Sequence, residues 1–250
     1  MANHADQFND ALKNIDTLID LPDRMRGYAI DTLQPLLESA KLDNLTRNKI
    51  QNIIRALEGI HSDSLRSTYK IVYNQCCILA VSALSAVLEN FFIEHANKNF
   101  SSINQDALGK IKVSLAELSE LNYETKENIG NIILEKDSTV TFQDLQSIKR
   151  SFNTYLNIQA SLDAETQNKI IFYQQCRHVL VHGGGRIDKK FVDRLESLNA
   201  NLKEYKVGQR VQLFVTDWRD IKKAFVVLVE NLTEPPKERV EFIDTKAEFQ

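Results

Sequence analysis

Leu65, Tyr69, Val72, Cys76, Leu79, Ala83, Val87 and Phe91 recur at steps of three or four, the spacing of one continuous helix face. A helix from 64 to about 96 rises roughly 50 Å at 1.5 Å per residue, enough to form the axis of a bundle. Only 8 Gly and 4 Pro interrupt the 250 residues, so helical periodicity runs through most of the chain. Strands are nearly absent from this reading. The pattern predicts an all-α, up-and-down helical bundle with a long central helix and an N-terminal helical extension.

The extension, residues 1–62, is expected to hold three helices, over 6–18, 22–42 and 46–57. Pro22 suits a first helical turn, and Pro35 is expected to kink or split the second helix. The main domain, 63–232, continues past the long helix with shorter helices near 105–120 and 124–134. Thr141, with Asp144 as its capping-box partner, is expected to open a helix with Leu145, Ile148, Phe152 and Leu156 on one face. Another helix starts near Asp163 and stops at Gly183-Gly184-Gly185. Asp188 then caps a helix over 189–205, and 207–215 alternates like a short strand or extended loop. Thr216 or Asp217 caps a last helix to Leu232, which Pro235-Pro236 ends. The charged tail, 233–250, is expected to be mobile or held by a partner.

Charge and cysteine usage narrow the setting. With 31 Lys plus Arg against 34 Asp plus Glu, the net charge of -3 provides no whole-molecule attraction to polyanions, so nucleic acid must be met by a local patch. Cys76, Cys77 and Cys176 are odd in number and lack CxxC spacing, which points to a reducing cytoplasm. The first residues lack the basic and apolar regions of a signal peptide. The apolar run from Cys76 to Leu88 is about 13 residues, against roughly 20 for a bilayer span, and reads as a buried helix instead of a membrane segment.

The chemistry concentrates in RHVLVHGGGRID, where Arg177, His178 and His182 occupy the end of an amphipathic helix beside three glycines. At 100° per residue, His178 and His182 lie about 40° apart, but Arg177 and His182 are about 140° apart. One straight helix therefore supplies half a site. The two could flank one groove if the last turn unwinds at the glycines, or if two copies of the helix meet across a two-fold axis. An arginine fork orients and neutralises a phosphate, and histidine exchanges a proton near neutral pH. RNA carries its own nucleophile in the 2′-hydroxyl, so these groups suit metal-independent phosphodiester cleavage with no cofactor.

The Arg-x4-His segment, with a polar residue directly after the arginine and a glycine turn behind it, resembles the HEPN superfamily. Arg177, His178 and His182 match its motif, and the similarity covers about 63–232, supported by the long helix and by TFQDLQSIKRSF. The resemblance implies a homodimer whose facing motifs build one RNA-cleaving cleft, of toxin or antiviral-defence type, with an antitoxin or inhibitor protein as a further partner. Arg177 would hold the scissile phosphate, His182 would act as general base or acid, and His178 would position phosphate or the partner histidine. The competing class is a non-catalytic helical dimer that binds protein or nucleic acid.

Other residues admit plainer roles beside a functional one. Arg55 and His61 also fit Arg-x5-His, but Gly59 interrupts their helix and Ala56 follows the arginine. His178 and His182 have the i,i+4 spacing of metal ligands, yet HVLVH lacks the glutamate of HExxH. The three motif residues would also suit a helix C-terminus simply as cations. Lys149, Arg150, Arg186, Lys189, Lys190 and Arg194 are candidates for an RNA-binding rim, or ordinary charged helix surface. Glu89 and Asn90 read as a solvated face or as orienters of the histidine, and His4 and His95 as exposed ends. Trp218 and Phe225 are expected in the core, and the cysteines read as small buried hydrophobes, with Cys176 beside Arg177 open to activation.

Overall fold

Helical periodicity in the sequence becomes ten α-helices among the residues described by the computed structural model, namely 3–38, 42–59, 63–198 and 205–233, the side chains of 63–69 excepted. They are α1 (His4–Glu38), α2 (Asn44–Gly59), α3 (Asp63–Lys98), α4 (Gln105–Leu108), α5 (Leu115–Glu120), α6 (Thr125–Lys136), α7 (Leu145–Leu156), α8 (Ala164–His182), α9 (Lys189–Glu196) and α10 (Val215–Thr233). The protein is an all-α helical bundle. Its axis is α3, against which α1, α6, α7, α8 and α10 pack.

The buried arc of α3 is wider than the predicted stripe and turned from it. Cys76, Cys77, Ala80, Val81, Leu84, Val87, Leu88, Phe92 and Ala96 are buried, whereas Leu79 is exposed. A helix enclosed by several neighbours buries more than one narrow face, which moves the centre of the stripe. By length and composition Lys70–Lys98 would also suffice to cross a membrane; here it is the bundle's central helix.

The N-terminal segment departs from expectation. Residues 4–38 form one continuous helix through Pro22 and Pro35. Pro22 removes the amide that would bond the Leu18 carbonyl, but its fixed φ is compatible with a helix, and contacts with α3 and α2 hold the segment. Ala5, Phe8, Leu12 and Ile15 enter the same core as α3 and α10. Asp16 accepts from Trp218 Nε1 at 2.7 Å and from Lys222 Nζ at 2.9 Å, tying α1 to α10.

His4 and His95 are not exposed ends. His4 is buried, with Nε2 2.6 Å from Glu94 Oε2 and its ring edge-on to Phe91, while His95 is half-buried at 5.4 Å from the same ring. The antiparallel course of α1 along α3, unavailable to local sequence reasoning, brings position 4 beside 94. Lys98 and His4 together hold the Glu94 carboxyl below its usual range.

Several boundaries move for local reasons. The expected helix over 105–120 is two, because α4 stops at Gly109 and Ser114 opens α5 with a reciprocal capping box to Glu117. Asp144 itself caps α7, accepting the Ser147 N–H at 2.9 Å, so Thr141 does not start that helix. The helix after Asp188 is regular only to Glu196, and 199–204 lie outside the described residues. Val215 already belongs to α10, where Asp217, three residues after Phe214, accepts the Phe214 N–H at 2.8 Å. His61, Pro235-Pro236 and nearly all of the charged tail also fall outside the description. Trp218 and Phe225 are core residues as expected.

Candidate functional site

Asp163 caps α8 by accepting the Thr166 N–H at 2.8 Å. Ile170, Ile171, Phe172, Tyr173, Gln174, Cys176 and Val179 anchor the helix in the core. Past Val179 the helix emerges. His178, Val181 and His182 are exposed and Arg177 is half-buried. The His178 and His182 rings stand 4.9 Å apart, as neighbours on one face.

The glycines end α8 without unwinding it. Gly183 N–H still donates to the Val179 carbonyl at 2.9 Å, and Gly185 N–H reaches the same oxygen at 3.0 Å. Gly184 and Gly185 take φ of +57° and +77°, which is why glycine stands there. Since α8 stays regular through His182, Arg177 and His182 remain on different sides of it, and unwinding of the last turn does not bring them together. Within one chain the two histidines converge and the arginine is offset.

Behind the turn, the chain pairs with the segment before α10. Val211 N–H donates to Gly185 O at 2.9 Å, Ile187 N–H to Gln209 O at 2.8 Å, and Gly208 N–H to Ile187 O at 2.8 Å. These bonds make an antiparallel bridge between Arg186 and Arg210. Opposed residues of such a pair place their Cβ atoms about 5 Å apart, so two exposed arginines share one spot at the foot of the histidine turn. Like charges set opposite one another are unfavourable without an anion between them. Arg210 escaped the sequence reading because it lies far along the chain from the motif and belongs to no pattern of its own.

The other candidates divide. Lys189, Lys190 and Arg194 are exposed on α9, which follows the turn directly, with the first two in its opening turn. Lys149 instead donates to Gln167 at 3.2 Å, ten residues before Arg177 in α8 and therefore about 15 Å away along its axis. Arg150, on the same helix, donates to the Thr139 carbonyl at 2.9 Å and to Ser147 Oγ at 3.2 Å. The structure does not bring Lys149 to the motif.

Glu89 and Asn90 are exposed on α3, about 22 Å along its axis from Asn74, which marks the motif end of the bundle. They do not orient His182. All three cysteines are buried and none forms a disulfide, so burial shields Cys176 despite its place beside Arg177. Burial raises the Cys76 thiol to about 11 and drives Cys77 up as well. Among the described residues no cluster of three or more His, Cys, Asp or Glu is placed to hold a metal, and His178 and His182 gain no third ligand.

No family model matches this chain, and no curated protein or solved structure shows significant similarity to it. The likeness of its Arg-x4-His segment to the HEPN motif rests on the residues of this chain.

Proposed function

We propose that the protein is a HEPN-type, metal-independent endoribonuclease of the cytoplasm, acting as a toxin or defence effector and built as a homodimer with a composite site. The observation that carries this reading is the exposed His178–His182 pair at the end of α8, beside the opposed Arg186 and Arg210. It offers proton-transfer groups and phosphate-binding groups at one end of the bundle.

In this reading Arg177 binds the scissile phosphate and offsets the charge that builds on its oxygens. His182 takes the proton of the RNA 2′-hydroxyl as that oxygen attacks the adjacent phosphorus. A protonated histidine of the second motif delivers a proton to the departing 5′-oxygen. The products are a 2′,3′-cyclic phosphate and a 5′-hydroxyl end. His178 positions the phosphate or the facing histidine, and Arg186, Lys189, Lys190 and Arg194, joined by Arg210, track the RNA backbone. The offset of Arg177 from His182 within one chain favours assembly of the site from two copies. An antitoxin or inhibitor protein would occlude this end in the resting cell.

The deciding experiment incubates wild-type protein and His182→Ala with total RNA in excess EDTA and analyses the fragment ends. Wild-type cleavage with cyclic phosphate ends, abolished in the variant, is the expected result. RNA left intact by both would leave a nucleic-acid-binding module. That second reading is favoured by the Arg186–Arg210 pair, which needs no histidine to hold a phosphate.

A further inference from the structure

Beyond Ile15, α1 leaves the core: none of residues 16–38 is buried. Ile19, Pro22, Arg26, Ala29, Ile30, Leu33 and Leu37 are half-buried on the side that meets its neighbours, and α2 returns along α1 with Ile50 and Ile54 buried. A separate apolar stripe is left uncovered. Leu18, Leu21, Met25 and Tyr28 follow one another at steps of three and four, with Met25 64% and Tyr28 72% exposed. Thr32 and Pro35 continue the same seven-residue repeat, the spacing by which two helices pair side by side. The stripe also projects at the motif end of the bundle. Asp20 and Asp23 of α1 act electrostatically on Tyr73, adjacent to Asn74, which holds the segment behind the glycine turn.

We infer that this stripe docks against the same stripe of a second copy of the chain, with the two α1 helices antiparallel about a two-fold axis. The charges choose this occupant and its register. When Met25 packs on the partner's Tyr28, Leu21 meets the partner's Thr32 and Leu18 meets the partner's Pro35. On one flank Arg24 then stands opposite the partner's Asp31, and the symmetry makes that ion pair twice. On the other flank Pro22 meets the partner's Ala29, so no charge is buried alone. A slip of seven residues in either direction sets Arg24 against the partner's Arg24, or Asp31 against the partner's Asp31. Arg24 lies 3.7 Å from Asp20 on its own helix, and both are well exposed, an arrangement easily exchanged. The contact of methionine with an aromatic ring at the axis suits the flexible thioether.

The test measures the mass of the full-length protein in solution by sedimentation equilibrium, without RNA. The wild type is expected at an even multiple of the 28.6 kDa chain mass. Arg24→Asp and Asp31→Arg should each halve that mass, because each sets like charges opposite one another, and the double variant should restore it. Met25→Glu should halve it too, with no charge exchange to restore it. These side chains lie outside the core, so a far- and near-ultraviolet circular dichroism spectrum matching wild type certifies the fold of each variant. A wild-type monomer, a mass indifferent to these changes, or a double variant that stays at half mass overturns the inference, the first result pointing to a different protein as occupant. The inference goes beyond the proposed nuclease activity. Pairing through α1 by a protein that leaves RNA intact would refute the cleavage reading and leave this one standing.

Discussion

Asn74 on α3 and Val211 before α10 are joined by a side-chain hydrogen bond in which Nδ2 donates to the Val211 carbonyl at 3.2 Å. Asn74 Oδ1 also accepts the Leu213 N–H at 3.2 Å. One amide thus pins the segment that pairs with the glycine turn below His182, linking the bundle's axis to its candidate site. Asn74→Leu leaves a backbone carbonyl and an amide without this partner and should lower stability by about 1–3 kcal/mol. Urea denaturation measures the loss. If the proposed activity holds, RNA cleavage should also fall with every motif residue intact; unchanged stability would show that the clamp carries no load.

Gly130 sits where α6 packs tightly against the backbone of α3. A Cβ there would lie 2.6 Å from Ile93 Cα and 2.8 Å from Ile93 O, both backbone atoms. Its N–H donates to Asn97 Oδ1 at 2.8 Å. Gly130→Ala should force the helices apart and cost about 1–3 kcal/mol, despite alanine's higher helix propensity. Equal or greater stability of the variant would contradict the packing.

At Gly184 the left-handed φ of +57° with open space around the Cβ position separates backbone strain from crowding. Gly184→Val should destabilise by more than about 1–2 kcal/mol, and Gly184→Asn by clearly less, because asparagine visits this region more readily. The two denaturation midpoints side by side decide it.

Desolvation of half-buried His95 lowers its folded pKa below the ordinary 6.5. The unfolded ring takes up a proton as pH falls through about 6.5, while the folded ring does so only at lower pH. Stability present at neutral pH is therefore lost as the solution is acidified, until the folded ring also protonates. His95→Gln should have a flatter melting temperature profile between pH about 7 and about 5 than the wild type. Parallel profiles would mean that His95 titrates alike in both states.

Much of the architecture follows from interactions within one turn. The long helix and α8, the Asp163 and Asp188 caps and the glycine stop arise from i,i+3 and i,i+4 neighbours that any reader of the sequence can place. The adjacency of His178 and His182 belongs to the same class, since a helix that stays regular has to present them together. Where several local signals competed, the pattern placed a helix and missed a boundary: Asp144, not Thr141, opens α7, and 105–120 breaks at Gly109.

Contacts between distant segments had no such signature. Nothing near His4 announces Glu94, and Pro22 reads as a helix start until α2 and α3 are packed along α1. Lys149 looks like a neighbour of a basic rim, but α7 carries it toward Gln167 and away from the motif. Arg210 gains its place only when 208–211 folds back on the glycine turn. Local sequence determined which stretches are helical and which residues share a helix face, because those relations are set by backbone geometry. Tertiary packing decided which faces are covered and which charges meet, because burial and electrostatics depend on neighbours that the chain brings together only by folding.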